Sequence, residues 1–206
     1  YYIICKNKDG LEKKYQLPVA TADHIALQVN RQNNRYNLSI RTPYDAPLDD
    51  KPLYVVILCR GQVLNAFEWD KNNSFVFLPK DKLPSGIIQF LLVDAGMNPV
   101  SERLIFNTNK DGIVNVDFTT NKDNYMRREL VKGIVKLSDN ENNPLVGSLS
   151  VSVTDDKDIK PDTCVNILST LLLTSDLKGY IASPAYYFKD DKYETQNRLD
   201  LLMMTQ

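Results

Sequence analysis

Leu92-Val93-Asp94-Ala95-Gly96-Met97-Asn98-Pro99-Val100-Ser101-Glu102-Arg103-Leu104 reads as a strand, a polar turn and a returning strand. Leu137-Ser138-Asp139-Asn140-Glu141-Asn142-Asn143-Pro144-Leu145-Val146-Gly147-Ser148-Leu149 repeats its Asp, its Asn-Pro and both flanking leucines at identical spacing. The chemistry of such a turn is simple. The Asp carboxylate closes an Asx-type turn on the backbone, and the proline, with no N–H, interrupts the ladder before the return strand starts. Two blocks of the chain therefore carry the same hairpin element, which reads equally as duplication of a sandwich module or as convergence on one hairpin chemistry.

The same grammar extends outward in both directions. Short β-branched and aromatic runs alternate with Asn, Asp, Gly and Pro every eight to twelve residues as far as about residue 152, the punctuation of an antiparallel β protein. A first hairpin is expected from residues 1–6, a turn at Asn7-Lys8-Asp9-Gly10, and a return over residues 14–17, with the Asp-Gly pair supplying positive φ. Further strands are expected at residues 25–29, 37–41, 53–60, 62–69, 74–78, 86–94 and 101–107, then at 113–119, 129–138 and 145–155. Ile25, Leu27 and Val29 alternate with Ala26 and Gln28, the period of a half-buried strand. The polar stretch Asn107-Thr108-Asn109-Lys110-Asp111-Gly112 has no side chain suited to anchoring in a core and marks a domain boundary.

Beyond about residue 157 the period changes. Residues 162–179 begin with the N-cap candidates Asp162 and Thr163 and end at Gly179, and place Cys164, Ile167, Leu168, Leu171 and Leu172 on one apolar helical face. A loop containing Pro184, Tyr186, Tyr187 and Phe188 leads to a second helix over residues 193–203, with Leu199, Leu202 and Met203 inward. The fold class expected is mainly β: two consecutive immunoglobulin-like, macroglobulin-like β-sandwiches, residues 1–107 and 108–206, the second carrying a short helical tail from about residue 162.

Composition narrows the function. The 206 residues are 43% hydrophobic and 25% charged, enough apolar material for a core. Lys and Arg total 25 against 26 Asp and Glu, so no cationic surplus exists to neutralise a nucleic-acid backbone or an anionic bilayer. No apolar run approaches the length of a membrane span. The single histidine, His24, has no sequence neighbour that completes a triad and reads as a surface residue at a strand edge. No phosphate loop, nucleophile elbow or zinc-protease helix is present. Cys5, Cys59 and Cys164 match neither a disulfide framework nor a paired metal site and read as buried small apolar residues. The acidic clusters Asp49-Asp50 and Asp155-Asp156-Lys157-Asp158 do not match a calcium loop and read as solvated turns. No catalytic, cofactor-binding or metal-binding residue is assigned. Eleven tyrosines and the lone Trp69 admit a carbohydrate-binding or enzyme-accessory module, with Trp69 or Tyr186 as its platform, although packing is the favoured use of the aromatics from Tyr180 to Phe188.

Particular motifs resemble a known family. Leu83-Pro84-Ser85-Gly86 through Phe90, continuing to Ser101-Glu102-Arg103-Leu104-Ile105-Phe106, resembles the close of a macroglobulin-like domain. Thr120 to Tyr125, Arg128-Glu129 and the hairpin from Asp139 to Asp155 resemble the domain that follows it. Together with Asn166 to Ile181 and Leu199 to Gln206, the order of these pieces is similar to large cell-envelope proteins of the Bacteroidetes, in which macroglobulin-like domains precede a plug-like domain of a TonB-dependent receptor. The resemblance implies an extracytoplasmic module, in the periplasm or at the outer membrane, that is a non-enzymatic spacer or docking unit linked to nutrient uptake. Its implied partners are the neighbouring domains of the same polypeptide and other envelope or transport proteins. The thioester motif Cys-Gly-Glu-Gln of full macroglobulins is absent. A chain that opens in mid-strand at Tyr1 and stops at Thr205-Gln206 reads as a piece of something longer.

Overall fold

The computed structural model describes residues 2–19, 24–43, 48, 50–109, 114–155, 157, 159–160 and 162–206. Eleven strands form four antiparallel sheets among these residues. β1 (Tyr2–Lys6) and β2 (Glu12–Gln16) make the first hairpin. Its turn is held by Asn7, whose side-chain oxygen accepts from the backbone N–H groups of Asp9 at 3.0 Å and Leu11 at 2.9 Å, with Gly10 at φ 84°. The pairing makes the return strand start two positions earlier than its sequence pattern indicates.

The body of the fold is a stacked pair of sheets. β3 (Ala26–Gln32), β4 (Arg35–Arg41) and β7 (Val76–Pro79) form one sheet in the order β3-β4-β7. β5 (Leu53–Cys59), β6 (Gln62–Glu68), β8 (Gly86–Asp94) and β9 (Pro99–Asn107) form the other, in the order β6-β5-β8-β9. Alternation puts Leu27, Val29, Tyr36 and Leu38 of the first sheet against Val55, Ile57, Ile88, Phe90, Leu92 and Ile105 of the second, in one buried cluster. Trp69 closes this cluster at 2% exposure, its backbone N–H donating to Leu53 O at 2.8 Å. The alternative use of Trp69 as a sugar platform is corrected by this burial: the indole, one residue past β6, turns inward between the sheets.

The polar stretch after β9 is also anchored, by amides and not by apolar contacts. Asn107 is fully buried, and its Nδ2 donates to Lys80 O, Leu83 O and Pro84 O at 3.2, 2.9 and 3.0 Å. Asn109 Nδ2 reaches the same Lys80–Leu83 turn. Lys110, Asp111 and Gly112 lie outside the described residues.

After this point the expected second sandwich gives way to a smaller arrangement. β10 (Asn115–Thr120) and β11 (Gly133–Ser138) form a two-stranded sheet, and no second stacked pair of sheets occurs among the described residues. Residues 145–155, expected from their alternation to form a strand, carry no regular structure where they are described, apart from the bond of Leu145 N–H to Leu137 O. α1 (Ile167–Ser169) runs into a π-helical turn, Thr170–Thr174; a 3₁₀ turn covers Pro184–Phe188; α2 spans Tyr193–Met204. No helix among the described residues is long and apolar enough to cross a membrane.

Candidate interaction site on the tail-covered sheet face

β8 and β9 are apolar on both faces, which is why Gly86–Asp94 shows no clean polar alternation. Ile88, Phe90 and Ile105 point into the sandwich, whereas Ile87, Leu104 and Phe106 point out of it. The outward set is covered by the tail. Leu173, Ile181, Leu199 and Met203 are buried against Ile87 and Phe106, and Phe188 meets Phe106 edge-on with ring centroids 5.5 Å apart. Burying each of these large side chains contributes about 1.5–3 kcal/mol before entropy is deducted.

Polar contacts fix the position of the cover. Arg60, at φ 50° in the β5–β6 turn, donates from Nη2 to Leu171 O at 2.9 Å and from Nε to Asp176 Oδ2 at 3.2 Å. On α2, Arg103 Nη2 donates to Asp200 Oδ1 at 2.7 Å and Arg31 Nη1 to Gln196 Oε1 at 2.5 Å. Gly86 starts β8 at φ 118°, a backbone conformation that a side chain would strain.

The first tail helix begins later and faces differently than its 3.6-residue pattern predicts. Asn166, not Asp162 or Thr163, is the N-cap: its side-chain oxygen accepts from Ser169 N–H at 2.8 Å, and its own N–H donates to Ser169 Oγ at 3.0 Å. The next turn closes from Ser175 N–H to Thr170 O, five residues back. With the late cap and this wider turn, Ser169 and Leu173 are buried while Ile167, Leu168 and Leu171 remain exposed; Cys164 and Val165 precede the cap and are exposed as well. α2 follows its pattern, with Leu199 and Met203 buried and Leu202 half-buried. Asp190 precedes it and accepts from Thr195 Oγ1 at 2.6 Å, a bond that holds the carboxyl below its ordinary range.

Beside this interface, an open polar groove of about 620 Å³ runs between β3 and α2, lined by Asn30, Arg31, Asp191, Tyr193, Asn197 and Asp200. At its back, Tyr36 is pushed up to about 12 by burial, so the phenol stays neutral. Burial also pushes the Lys80 ammonium down; Arg31 lowers it further, and Asp191 opposes the shift.

The other residues weighed from sequence lie apart. His24 is exposed two positions before β3, and Asp23 lies outside the described residues. Cys59 is buried in β5, and burial raises its thiol; Cys5 and Cys164 are exposed, against the expectation of three buried thiols, because the β1–β2 hairpin presents both faces outward and Cys164 precedes the Asn166 cap, outside the helix. Asp155 accepts from Lys157 N–H at 2.9 Å in a solvated turn, whereas Asp49, Asp156 and Asp158 lie outside the described residues. No cluster of three His, Cys, Asp or Glu side chains fit for a metal ion occurs among the described residues. Tyr186 stacks edge-on against Tyr187 at 5.6 Å and lies 4.0 Å from Lys189 Nζ, so it serves tail packing.

No local pattern in the sequence announces the contacts of Arg60, Arg103 and Gln196, since each joins positions about a hundred or more residues apart. Geometrically the site joins a sheet to a helical segment and leaves an apolar strip and a polar groove at its margin. No family model matches the chain, and no curated protein matches it. Among solved structures, the rat CD45 extracellular region, domains d3-d4, is similar at 13% identity and a TM-score of 0.28, over 50% of this chain and 60% of that one.

Proposed function

We propose that the chain is a non-catalytic structural and interaction module of a cell-envelope protein, built on one macroglobulin-like sandwich that carries a two-stranded sheet and a helical tail. In this reading it spaces or docks a TonB-dependent receptor of the Bacteroidetes type in the periplasm or at the outer membrane. The observation that carries the proposal is the covered sheet face. A sandwich wall closed by its own tail through Ile87, Phe106, Leu173, Leu199 and Met203 is a stiff spacer. The same tail leaves Val165, Ile167, Leu168 and Leu171 exposed as an apolar strip. The occupant of this strip is the neighbouring domain of the same polypeptide.

The test is hydrogen exchange at residues 167–171, in the 206-residue chain and in a polypeptide that also carries the next region encoded by its gene. Slower exchange in the longer polypeptide supports docking of the strip; equal exchange in both overturns it.

A further inference from the structure

The repeated hairpin chemistry is matched in three dimensions. Asp94 Oδ1 accepts from the N–H groups of Gly96 and Asn98, both at 2.8 Å; Asp139 Oδ1 accepts from Glu141 at 2.9 Å and Asn143 at 2.8 Å. In both turns the Oδ2 accepts from the asparagine amide at 3.0 Å, and the Asp N–H donates to the asparagine carbonyl at 3.0 Å. Met97 and Asn142 occupy the same left-handed position, at φ 61° and 63°. The first cross-strand pair after each turn is also equivalent, Val93 with Pro99 and Ser138 with Pro144.

The two segments diverge once they leave these turns. β9 continues along the whole of β8, whereas the segment after Pro144 makes, among the described residues, one further backbone bond to β11, Leu145 N–H to Leu137 O at 2.9 Å. Leu149, Val151 and Val153 are 52%, 71% and 91% exposed. We propose that residues 144–151 are a strap that closes on the open edge of β11 as the third strand of the β10–β11 sheet, in direct register from the Leu137–Leu145 pair.

Side-chain alternation selects that register. On β10–β11 one face carries Val116, Phe118, Val135 and Leu137, and the other carries Asp117, Thr119, Lys136 and a single apolar side chain, Ile134. Direct register continues Leu145, Leu149 and Val151 on the apolar face and Val146, Ser148 and Ser150 on the polar one. Copying the register shift that β8–β9 makes between Leu92 and Val93 would invert this and set Ser148 and Ser150 beside Val135. Gly133 fits the direct pairing as well. The Phe118 ring lies across it, so close that a Cβ would fall 2.6 Å from the ring, and Leu149 arrives opposite that glycine. Closure also pairs the backbone groups on the β11 edge away from β10.

Two measurements on the full 206-residue chain decide it. In a Cys5→Ser, Cys164→Ser background, Lys136→Cys with Val146→Cys places two thiols in a non-hydrogen-bonded pair, the geometry that brings side chains closest and suits a disulfide. That pair is expected to cross-link within the monomer, and Lys136→Cys with Gly147→Cys is not. Amide exchange in the unsubstituted chain is expected to alternate, with Leu145, Gly147 and Leu149 slower than Val146, Ser148 and Ser150 by about tenfold or more. Preferential cross-linking of the Gly147 variant, failure of both pairs, or uniformly fast exchange from 145 to 151 overturns the proposal. The pairing holds whichever partner the tail meets, so its failure and that of tail docking are read separately.

Discussion

The Tyr36 hydroxyl donates to Asn107 Oδ1 at 2.9 Å in the buried interior, and Asn107 passes the contact on to three carbonyls of the Lys80–Pro84 turn. One side chain thereby ties β4, β9 and the entry to β8 together. Removing a partner inside a core leaves its mates unsatisfied, which costs more than the bond contributes. Asn107→Ala is expected to destabilise the fold by about 3 kcal/mol and Tyr36→Phe by about 1 kcal/mol. Urea denaturation of the two single variants and the double variant measures this, and strict additivity would show that the pair is uncoupled.

The tail is expected to come away without unfolding the sandwich. Leu199→Asp places a charge in the outer cluster between Phe106 and Met203. Limited proteolysis of this variant is expected to cut between residues 162 and 192, while near-ultraviolet circular dichroism from Trp69 and Tyr36 persists. Loss of that signal together with tail protection would mean that the two clusters unfold as one.

Acid weakens both Asx turns. Bonds from the Asn98 and Asn143 side chains, with backbone N–H bonds, hold Asp94 and Asp139 below the ordinary carboxylate range in the folded state. A depressed folded value contributes stability that is present above the unfolded Asp value, about 3.9, and is lost as pH falls through the folded value. Carboxyl carbon NMR is expected to show both groups titrating below the unfolded Asp value of about 3.9. Asp94→Asn and Asp139→Asn are expected to flatten the acid limb of stability; an unchanged limb in both variants would exclude the turns as its source.

Thiol chemistry separates the cysteines. Cys5 and Cys164 are exposed, whereas Cys59 is buried with its thiol raised, so native labelling with an aromatic disulfide is expected to modify two thiols quickly and the third only after denaturation. Rapid modification of all three would show that β5 opens readily.

Trp69, at 2% exposure, is expected to emit at short wavelength, to resist acrylamide quenching and to give no response to a panel of glycans. A saturable response would require the indole to leave the core.

Legibility in the sequence tracks the range of the determining contacts. β8 coincides with residues 86–94 because glycine and aspartate bracket an unbroken apolar run, and the Asp-Gly and Asp-Asn-Pro turns carry their geometry locally. α2 is equally readable, its period undisturbed. The first tail helix departs from its pattern because a five-residue hydrogen-bond step, which no side chain in 170–174 announces, rotates its buried face. Asn107 looks like linker in the sequence because an amide gives no apolar signal, and its partners lie more than twenty residues upstream. Trp69 is ambiguous for another reason: an isolated indole at a strand end serves a core or a surface equally well until the facing sheet is in place.

β9 has a mechanical consequence for the molecule. Ile105 belongs to the interior cluster and its neighbour Phe106 to the exterior one, so a single strand is the shared wall of two chambers. Traction on the C-terminal helix bears first on Phe106 and Arg103, and peeling that helix away would bare a greasy panel to water. Tension and solubility are thus linked in this protein, and a pull strong enough to lift the tail also makes the sandwich adhesive.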